Sequence, residues 1–335
     1  MKKALITGIA GQDGSYLADF LLDMGYEVYG TVKITEYENR EHELINVEHI
    51  LNRITIYPVP LNNSGFIKEI IKSVRPDECY HLAASSFVSY TFDDELSTFN
   101  NNVQSTHHLL AALKEHASSC RTYFAGSSEM FGRVTSEPQD ENTSFNPRSI
   151  YGISKLSGYH LARNYREIND MFICTGILYN HESPRRGFEF VTRKITSTVA
   201  KIKLGLEKKL YLGNLDAVRD WGYAPEYVRA MWLMLQQNEP DDYVIATGEL
   251  HSVRQFVDYA FQCVGLDYKE YVAVDPQFYR ESEKMPLRGD SSKAYRTFGW
   301  KSQMKLEEII HEMIAHDMAL IKKDQTKRYK NEVAL

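Results

Sequence analysis

The first half of the chain alternates short apolar runs with stretches of helical periodicity, and this alternation limits its fold more than any other feature. Runs of strand composition fall at 3–7 (KALIT), 28–32, 54–59, 78–83 (ECYHLA), 122–125 and 172–177. Between them, apolar residues recur at helical spacing: Leu17, Phe20, Leu21 and Met24 before the stop at Gly25, then 66–74, 103–116 and 149–169. Strands joined by helices of roughly ten or more residues pair in parallel through right-handed crossovers. The expectation is an α/β protein with a doubly wound parallel sheet covered on both faces, whose ligands sit beyond the carboxyl ends of the strands.

Past residue 180 the pattern turns irregular, with helices expected at 191–204, 225–237, 253–264 and 306–323 and one late strand at 243–246 (YVIA) returning to the sheet. This predicts a dinucleotide-binding domain of Rossmann type over 1–180 with a returning segment near 220–250. A smaller, mainly helical substrate domain takes 181–219 and 251–325, and 326–335 form a solvated tail.

The chain has 335 residues, 43% hydrophobic and 25% charged, with a formal net charge of -6. That balance gives no broad attraction to nucleic acid or to an anionic membrane, so neither is an expected partner. Cys79, Cys120, Cys174 and Cys263 are widely separated, with no CxxC pair and no histidines clustered beside them. We expect buried reduced thiols, no metal and no disulfide framework. The start MKKALITG has no long apolar leader, and no run approaches the roughly eighteen apolar residues of a membrane span. A cytoplasmic protein is expected.

TGIAGQDG (residues 7–14) lies between the first strand and the first helix. Gly8, Gly11 and Gly14 permit a sharp turn and a close backbone approach to a pyrophosphate at the helix N-terminus, so Gly8, Ile9, Ala10, Gly11, Gln12, Asp13 and Gly14 form the expected cofactor loop. At the end of the second strand an acid binds a ribose 2′-hydroxyl and a cation a 2′-phosphate. Lys33 there favours NADP and Glu36 keeps NAD possible.

YGISK (151–155) puts Tyr151 and Lys155 on one helix face at i and i+4. An ammonium beside a phenol should lower its pKa and suit it to removing a hydroxyl proton. Together with the glycine loop, the pair reads as the base of hydride transfer from an alcohol, the lysine also holding the nicotinamide ribose. AGSSEMFG (125–132) places Ser127, Ser128 and Glu129 at the end of the fifth strand. A carboxylate beside a redox tyrosine can also take a carbon-bound proton next to a new ketone.

At this point the chain resembles the extended short-chain dehydrogenase/reductase superfamily, and within it the GDP-mannose 4,6-dehydratase family, over nearly its whole length. The resemblance is carried by ITGIAGQDGSYLA, the SSE triplet, YGISK, NHESPRRG (180–187), EFVTRKI (189–195), LYLGNLDAVRDWGYAPEYVRAMW (210–232), DDYVIATGELHSVRQF (241–256) and GDSSKA (289–294). It implies a redox-neutral dehydration. Tyr151 removes the sugar 4-hydroxyl proton as hydride passes from C4 to NADP, Glu129 takes the C5 hydrogen, Ser127 assists loss of the C6 hydroxyl as water, and hydride returns to C6.

The resemblance also implies that Leu82, Ala83, Ala84 and Ser86 pass the cofactor and that His181 and Arg186 reach its phosphates or ribose. Ser85, Ser128, Asn180, Lys194, Arg219, Arg280 and Glu283 fall to the GDP-sugar, and Arg185, Arg186, Arg193, Lys194 and Arg219 concentrate positive charge for a diphosphate. A homodimer or homotetramer is implied as well. The chain departs from the family pattern at KITEYENREHE (33–43), where an arginine- and serine-rich segment is usual, at Pro60-Leu61, and at Ser85-Ser86-Phe87. A GDP-heptose substrate, or a C4 oxidoreductase that does not use Glu129, is the alternative on the same scaffold.

Overall fold

The computed structural model describes residues 1–39, 43–86, 92–278 and 285–333. Among these, the strands in chain order are β1 (Lys3–Thr7), β2 (Glu27–Val32), β3 (Ile54–Pro58), β4 (Glu78–His81), β5 (Arg121–Ser127), β6 (Ile173–Leu178), β7 (Asn180–Glu182), β8 (Leu210–Leu212), β9 (Val218–Tyr223), β10 (Asp242–Ile245), β11 (Leu250–Ser252) and β12 (Val272–Val274). The helices are α1 (Gln12–Asp23), α2 (Ile34–Glu38), α3 (Ser64–Val74), α4 (Phe92–His116), α5 (Ile150–Asn169), α6 (Val191–Lys203), α7 (Ala224–Leu235), α8 (Val253–Cys263), α9 (Tyr268–Tyr271), α10 (Ser292–Phe298) and α11 (Leu306–Val333).

The main sheet has seven strands in the order β3-β2-β1-β4-β5-β6-β10, every pair parallel. The chain winds outward in both directions from β1 and β4, so the crevice where ligands lodge opens between the carboxyl ends of these two strands. Thr7 stands opposite His81 there. Both faces are covered. Leu17 and Leu21 of α1 pack with Met231 and Met234 of α7 on one side. On the other, Ile67 and Ile71 of α3 pack with Leu109 and Leu113 of α4 and Tyr159 of α5. The late strand does return, as β10 at the sheet edge beside β6.

A third apolar cluster builds the remaining lobe from Ile195 and Val199 of α6, Trp221 of β9, Phe256 and Phe261 of α8, and Ile310 and Ile314 of α11. This lobe is less purely helical than the sequence pattern implied. It holds a three-stranded sheet β11-β9-β7 and a two-stranded sheet β12-β8. Four of these strands have three residues each, too short for an alternating pattern to register in the sequence.

Two helices outrun their expected bounds. α4 begins eleven residues early, in a stretch where the polar Thr98 and Asn102 are buried while Leu96 and Phe99 are exposed, so no apolar stripe marks the added turns in the sequence. α11 runs to Val333 instead of stopping before a loose tail, since no Gly or Pro interrupts it after Lys322. Of the cysteines, Cys79, Cys120 and Cys174 are buried as expected, but Cys263 is exposed on the last turn of α8. Among the described residues no helix is long and apolar enough to cross a membrane.

Candidate active site

Two positions in the loop after β1, Gly8 and Gly14, call for glycine. Gly8 sits at φ 75°, and a Cβ on Gly14 would stand 2.3 Å from the Gly8 carbonyl oxygen, so α1 closes its first turn directly onto the loop. Gly11 caps α1 with no side-chain hydrogen bond, which leaves the first-turn N–H groups for a ligand. Such a cradle fits a dinucleotide pyrophosphate. Gly8, Ala10, Gly11, Gln12, Asp13 and Gly14 line the cleft. Ile9 does not: its N–H is bonded to the Thr31 carbonyl (3.2 Å) and its side chain fills the space over Gly30.

Across the crevice, Leu82, Ala83, Ala84, Ser85 and Ser86 form the facing wall. Thr7 Oγ1 accepts from the Leu82 and Ala83 N–H groups (3.2 and 3.1 Å), so its own proton goes to His81 Nδ1 at 2.8 Å. His81 Nε2–H then donates to Thr106 Oγ1 (3.1 Å), and Thr106 to the Asn102 carbonyl (2.7 Å). Burial holds His81 neutral, its pKa pushed down to about 3. Asn102 completes the frame, accepting from the Ser85 N–H (2.8 Å) and donating to Ser154 Oγ on α5 (3.0 Å). The sequence reading missed His81, Thr106 and Asn102; the polar run NNVQST inside an otherwise amphipathic helix is the signal that could have found the latter two.

The helix that bears Tyr151 and Lys155 starts at a Ser149 cap, whose hydroxyl accepts from the Gly152 N–H at 3.0 Å. Gly152 lets that first turn press against the end of β5, because a Cβ there would lie 2.6 Å from the Glu129 carbonyl oxygen. Ser127 Oγ accepts from the Glu129 N–H (3.2 Å) and is hydrogen-bonded to the Tyr151 phenol. Ser127, Glu129, Tyr151 and Lys155 thus share one stretch of cleft wall with the glycine loop, whereas Ser128 turns inward and does not reach it.

The electrostatics correct one expectation. Burial pushes the Tyr151 phenol up to about 12, with the Ser127 hydrogen bond opposing and the Glu129 charge adding to the rise. Lys155 does not offset this. Its ammonium donates to the Ala125 carbonyl (2.8 Å) and lies 5.8 Å from the centre of the Tyr151 ring. Burial lowers Lys155 itself to about 8, against the pull of Asp13.

The same cleft is also lined by Asn180 and His181 of β7, Arg186, Lys194 of α6, and Arg219 of β9. The expected cationic cluster is partly neutralised. Arg193 is buried and paired with Asp317 of α11, Arg185 pairs with Asp19 (2.8 Å) over the Tyr16 ring, and Arg186 faces Glu182 at 3.3 Å. Arg219 donates to the Val218 carbonyl (2.7 Å) beside buried Asp220, which accepts from Thr247 and Gly248 and ties the 247–248 turn to β9. Lys33 is exposed and its ammonium lies 3.5 Å from the Glu36 carboxylate. Arg280 and Glu283 lie outside the described residues.

Comparison with known proteins bears on this geometry. The profile of the family described as GDP-mannose 4,6 dehydratase matches residues 5–313. GDP-mannose 4,6 dehydratase 2 of Arabidopsis thaliana is 46% identical over 334 residues, covering 97% of this chain and 89% of the relative. The chain belongs to the GDP-mannose 4,6-dehydratase family.

Two solved structures share the fold at 20% identity. RMD from Pseudomonas aeruginosa complexed with NADPH superposes with a TM-score of 0.79, covering 95% of this chain and 99% of that one. The dTDP-glucose 4,6-dehydratase from Bacillus anthracis in complex with NAD gives 0.82, covering 94% and 96%. A member of the GDP-mannose 4,6-dehydratase family has to admit a dinucleotide and a sugar nucleotide together. The cleft here, about 1690 Å³ and running from Lys33 past Tyr151 to Arg219, is larger than the roughly 300–1,000 Å³ of a single small-molecule site.

Proposed function

We propose that the chain is a hydro-lyase converting GDP-mannose to GDP-4-dehydro-6-deoxy-mannose and water. The observation that supports this reading is that Glu129 and Ser127 line the same cleft as Tyr151, Lys155 and the glycine loop, with the Glu129 charge and the Ser127 hydroxyl both acting on the Tyr151 phenol. A simple alcohol oxidoreductase needs the tyrosine and lysine; a carboxylate at the same spot adds the means to remove a carbon-bound proton.

NADP held in this cleft would supply the hydride chemistry between sugar C4 and C6, and the positive charge of its oxidised ring would favour ionisation of a phenol that burial holds near 12. Tyr151 Oη takes the proton of the 4-hydroxyl, with Ser127 donating to the phenolate. Lys155, which donates to the Ala125 carbonyl, would hold the nicotinamide ribose. With C4 a ketone, the C5 hydrogen is acidic; the Glu129 carboxylate removes it and passes that proton to the departing C6 hydroxyl, which Ser127 assists. The proton held on Tyr151 goes back to C5, so the cycle is redox-neutral and releases one water.

Asn180, Lys194, Arg219 and Arg280, with Glu283, are assigned jointly to the nucleoside diphosphate and guanosine, while Arg186, Leu82, Ala83, Ala84 and Ser86 border the dinucleotide. Lys33 meets a 2′-phosphate, which favours NADP over NAD. The test is incubation of the protein with GDP-mannose deuterated at C4 and catalytic NADP, without reductant. The expected product is a 4-ketone carrying the label at C6, with no net change in reduced-nicotinamide absorbance. Reduced cofactor accumulating in proportion to product would instead establish a C4 oxidoreductase.

A further inference from the structure

His181 touches two groups that can only accept. Its Nδ1 lies 2.7 Å from the Tyr179 carbonyl oxygen and its Nε2 lies 2.8 Å from the Asp13 carboxylate. Neither partner carries a proton to give at neutral pH, so both ring nitrogens must donate and the ring is an imidazolium. The ring is buried, stacked on Tyr227 of α7 with centroids 4.5 Å apart.

Asp13 belongs to the glycine loop, and its neighbour Gln12 is engaged in the same direction. Gln12 Nε2 donates to the His181 carbonyl and to Asp13 Oδ1, both at 3.0 Å, and Gln12 Oε1 accepts from Ser183 Oγ at 2.8 Å. The first turn of α1 is therefore pinned to β7 and the residue after it by charged and neutral hydrogen bonds reaching across the cleft floor. With both nitrogens occupied, His181 has no proton left for a phosphate.

We propose that Asp13 and His181 form a clasp that positions the dinucleotide loop, His181 acting through Asp13 and not by touching the cofactor. This rests on the reading of the loop as a dinucleotide site. A bare carboxylate at Asp13 would repel a pyrophosphate, and the imidazolium cancels that charge while using it as an anchor. Because β7 pairs with β9, which carries Arg219, the clasp also ties the loop to the strand pair that bears the sugar-nucleotide residues.

Two measurements test the clasp. The first is the nitrogen-15 NMR spectrum of histidine in the full chain near pH 7. The charged and titratable groups facing His181 are Asp13 from α1, Arg186 from the segment after β7 and Tyr227 from α7. A resonance pair for His181 with both nitrogens protonated is expected, and a neutral tautomer would overturn the proposal. The second is NADP affinity of the wild type, Asp13→Asn, His181→Gln and the double variant, by titration calorimetry.

Removing a negative charge near a phosphate should by itself tighten binding, but loss of the anchor should weaken it by roughly tenfold or more, with the double variant no worse than the weaker single one. Asp13→Asn binding as well as or better than wild type refutes the clasp. If that variant does not fold, the wild-type spectrum decides. A wild type that binds no dinucleotide refutes the proposed function instead, and leaves the protonation of His181 to be judged by its spectrum.

Discussion

Gly152→Ala separates a local helix effect from a catalytic one. Alanine in a helix interior is more favourable than glycine by about 0.8–1.0 kcal/mol, so helix propensity alone predicts a more stable protein. The Cβ, however, would stand 2.6 Å from the Glu129 carbonyl oxygen and 3.2 Å from its carbon, when real Cβ atoms essentially never come within 3.0 Å of a neighbour. The first turn of α5 and the 128–130 turn must separate by about 0.4 Å or more, at an overpacking cost on the order of 1–3 kcal/mol. The difference leaves the variant between roughly unchanged and about 2 kcal/mol less stable. Activity has no such compensation. Tyr151 and Glu129 sit on the two turns being pushed apart, and a misplacement approaching 1 Å in a catalytic site costs on the order of 10²-fold. We expect kcat with GDP-mannose to fall roughly tenfold to a hundredfold, NADP affinity to change little, and the stability measured by urea denaturation to fall by no more than about 2 kcal/mol. An alanine variant more stable by about 1 kcal/mol and as active as wild type would refute the close-contact reasoning.

Glu129→Gln keeps the shape of the turn but removes the base, and should cut product formation by about 10²-fold or more while calorimetry finds NADP binding unchanged. Glu36→Gln removes the carboxylate that faces Lys33, and should improve NADP affinity relative to NAD by several-fold, whereas Lys33→Ala should reverse the preference; equal ratios in all three proteins would show that this pair does not read the 2′-position. Lys155→Met should be more stable than wild type near neutral pH. Burial lowers the folded-state pKa of Lys155 to about 8 from 10.5, so the unfolded chain binds the extra proton and the cost of the buried ammonium is relieved as pH rises from about 8 toward 10.5. The advantage of Lys155→Met, measured by urea denaturation, should therefore shrink across that window, and an advantage that does not vary with pH would contradict the assignment.

Much of the sheet was legible because fully buried parallel strands are short apolar runs and their crossover helices carry a clear 3.6-residue period. The runs at 3–7, 78–83 and 122–125 match β1, β4 and β5 to within two residues at each end. The small strands of the second lobe were not legible, since β7, β8, β11 and β12 are held by neighbours far along the chain and not by any local pattern. The same limit applies to partners. Arg193 looks like a phosphate ligand in EFVTRKI, yet Asp317, more than a hundred residues away, takes it up.

From the order of residues alone follow the parallel α/β architecture, the glycine-bearing turn after β1 and the spacing of Tyr151 and Lys155, because each depends on local conformation or on helix geometry. Where charge and protons reside was decided by tertiary structure. Burial raises the Tyr151 phenol and lowers the Lys155 ammonium, Thr7 and Asn102 set the wall opposite the loop, and His181 becomes a cation between Asp13 and Tyr179. Desolvation and hydrogen-bond partnership depend on which distant segments close around a group, and no window of neighbouring residues contains that information.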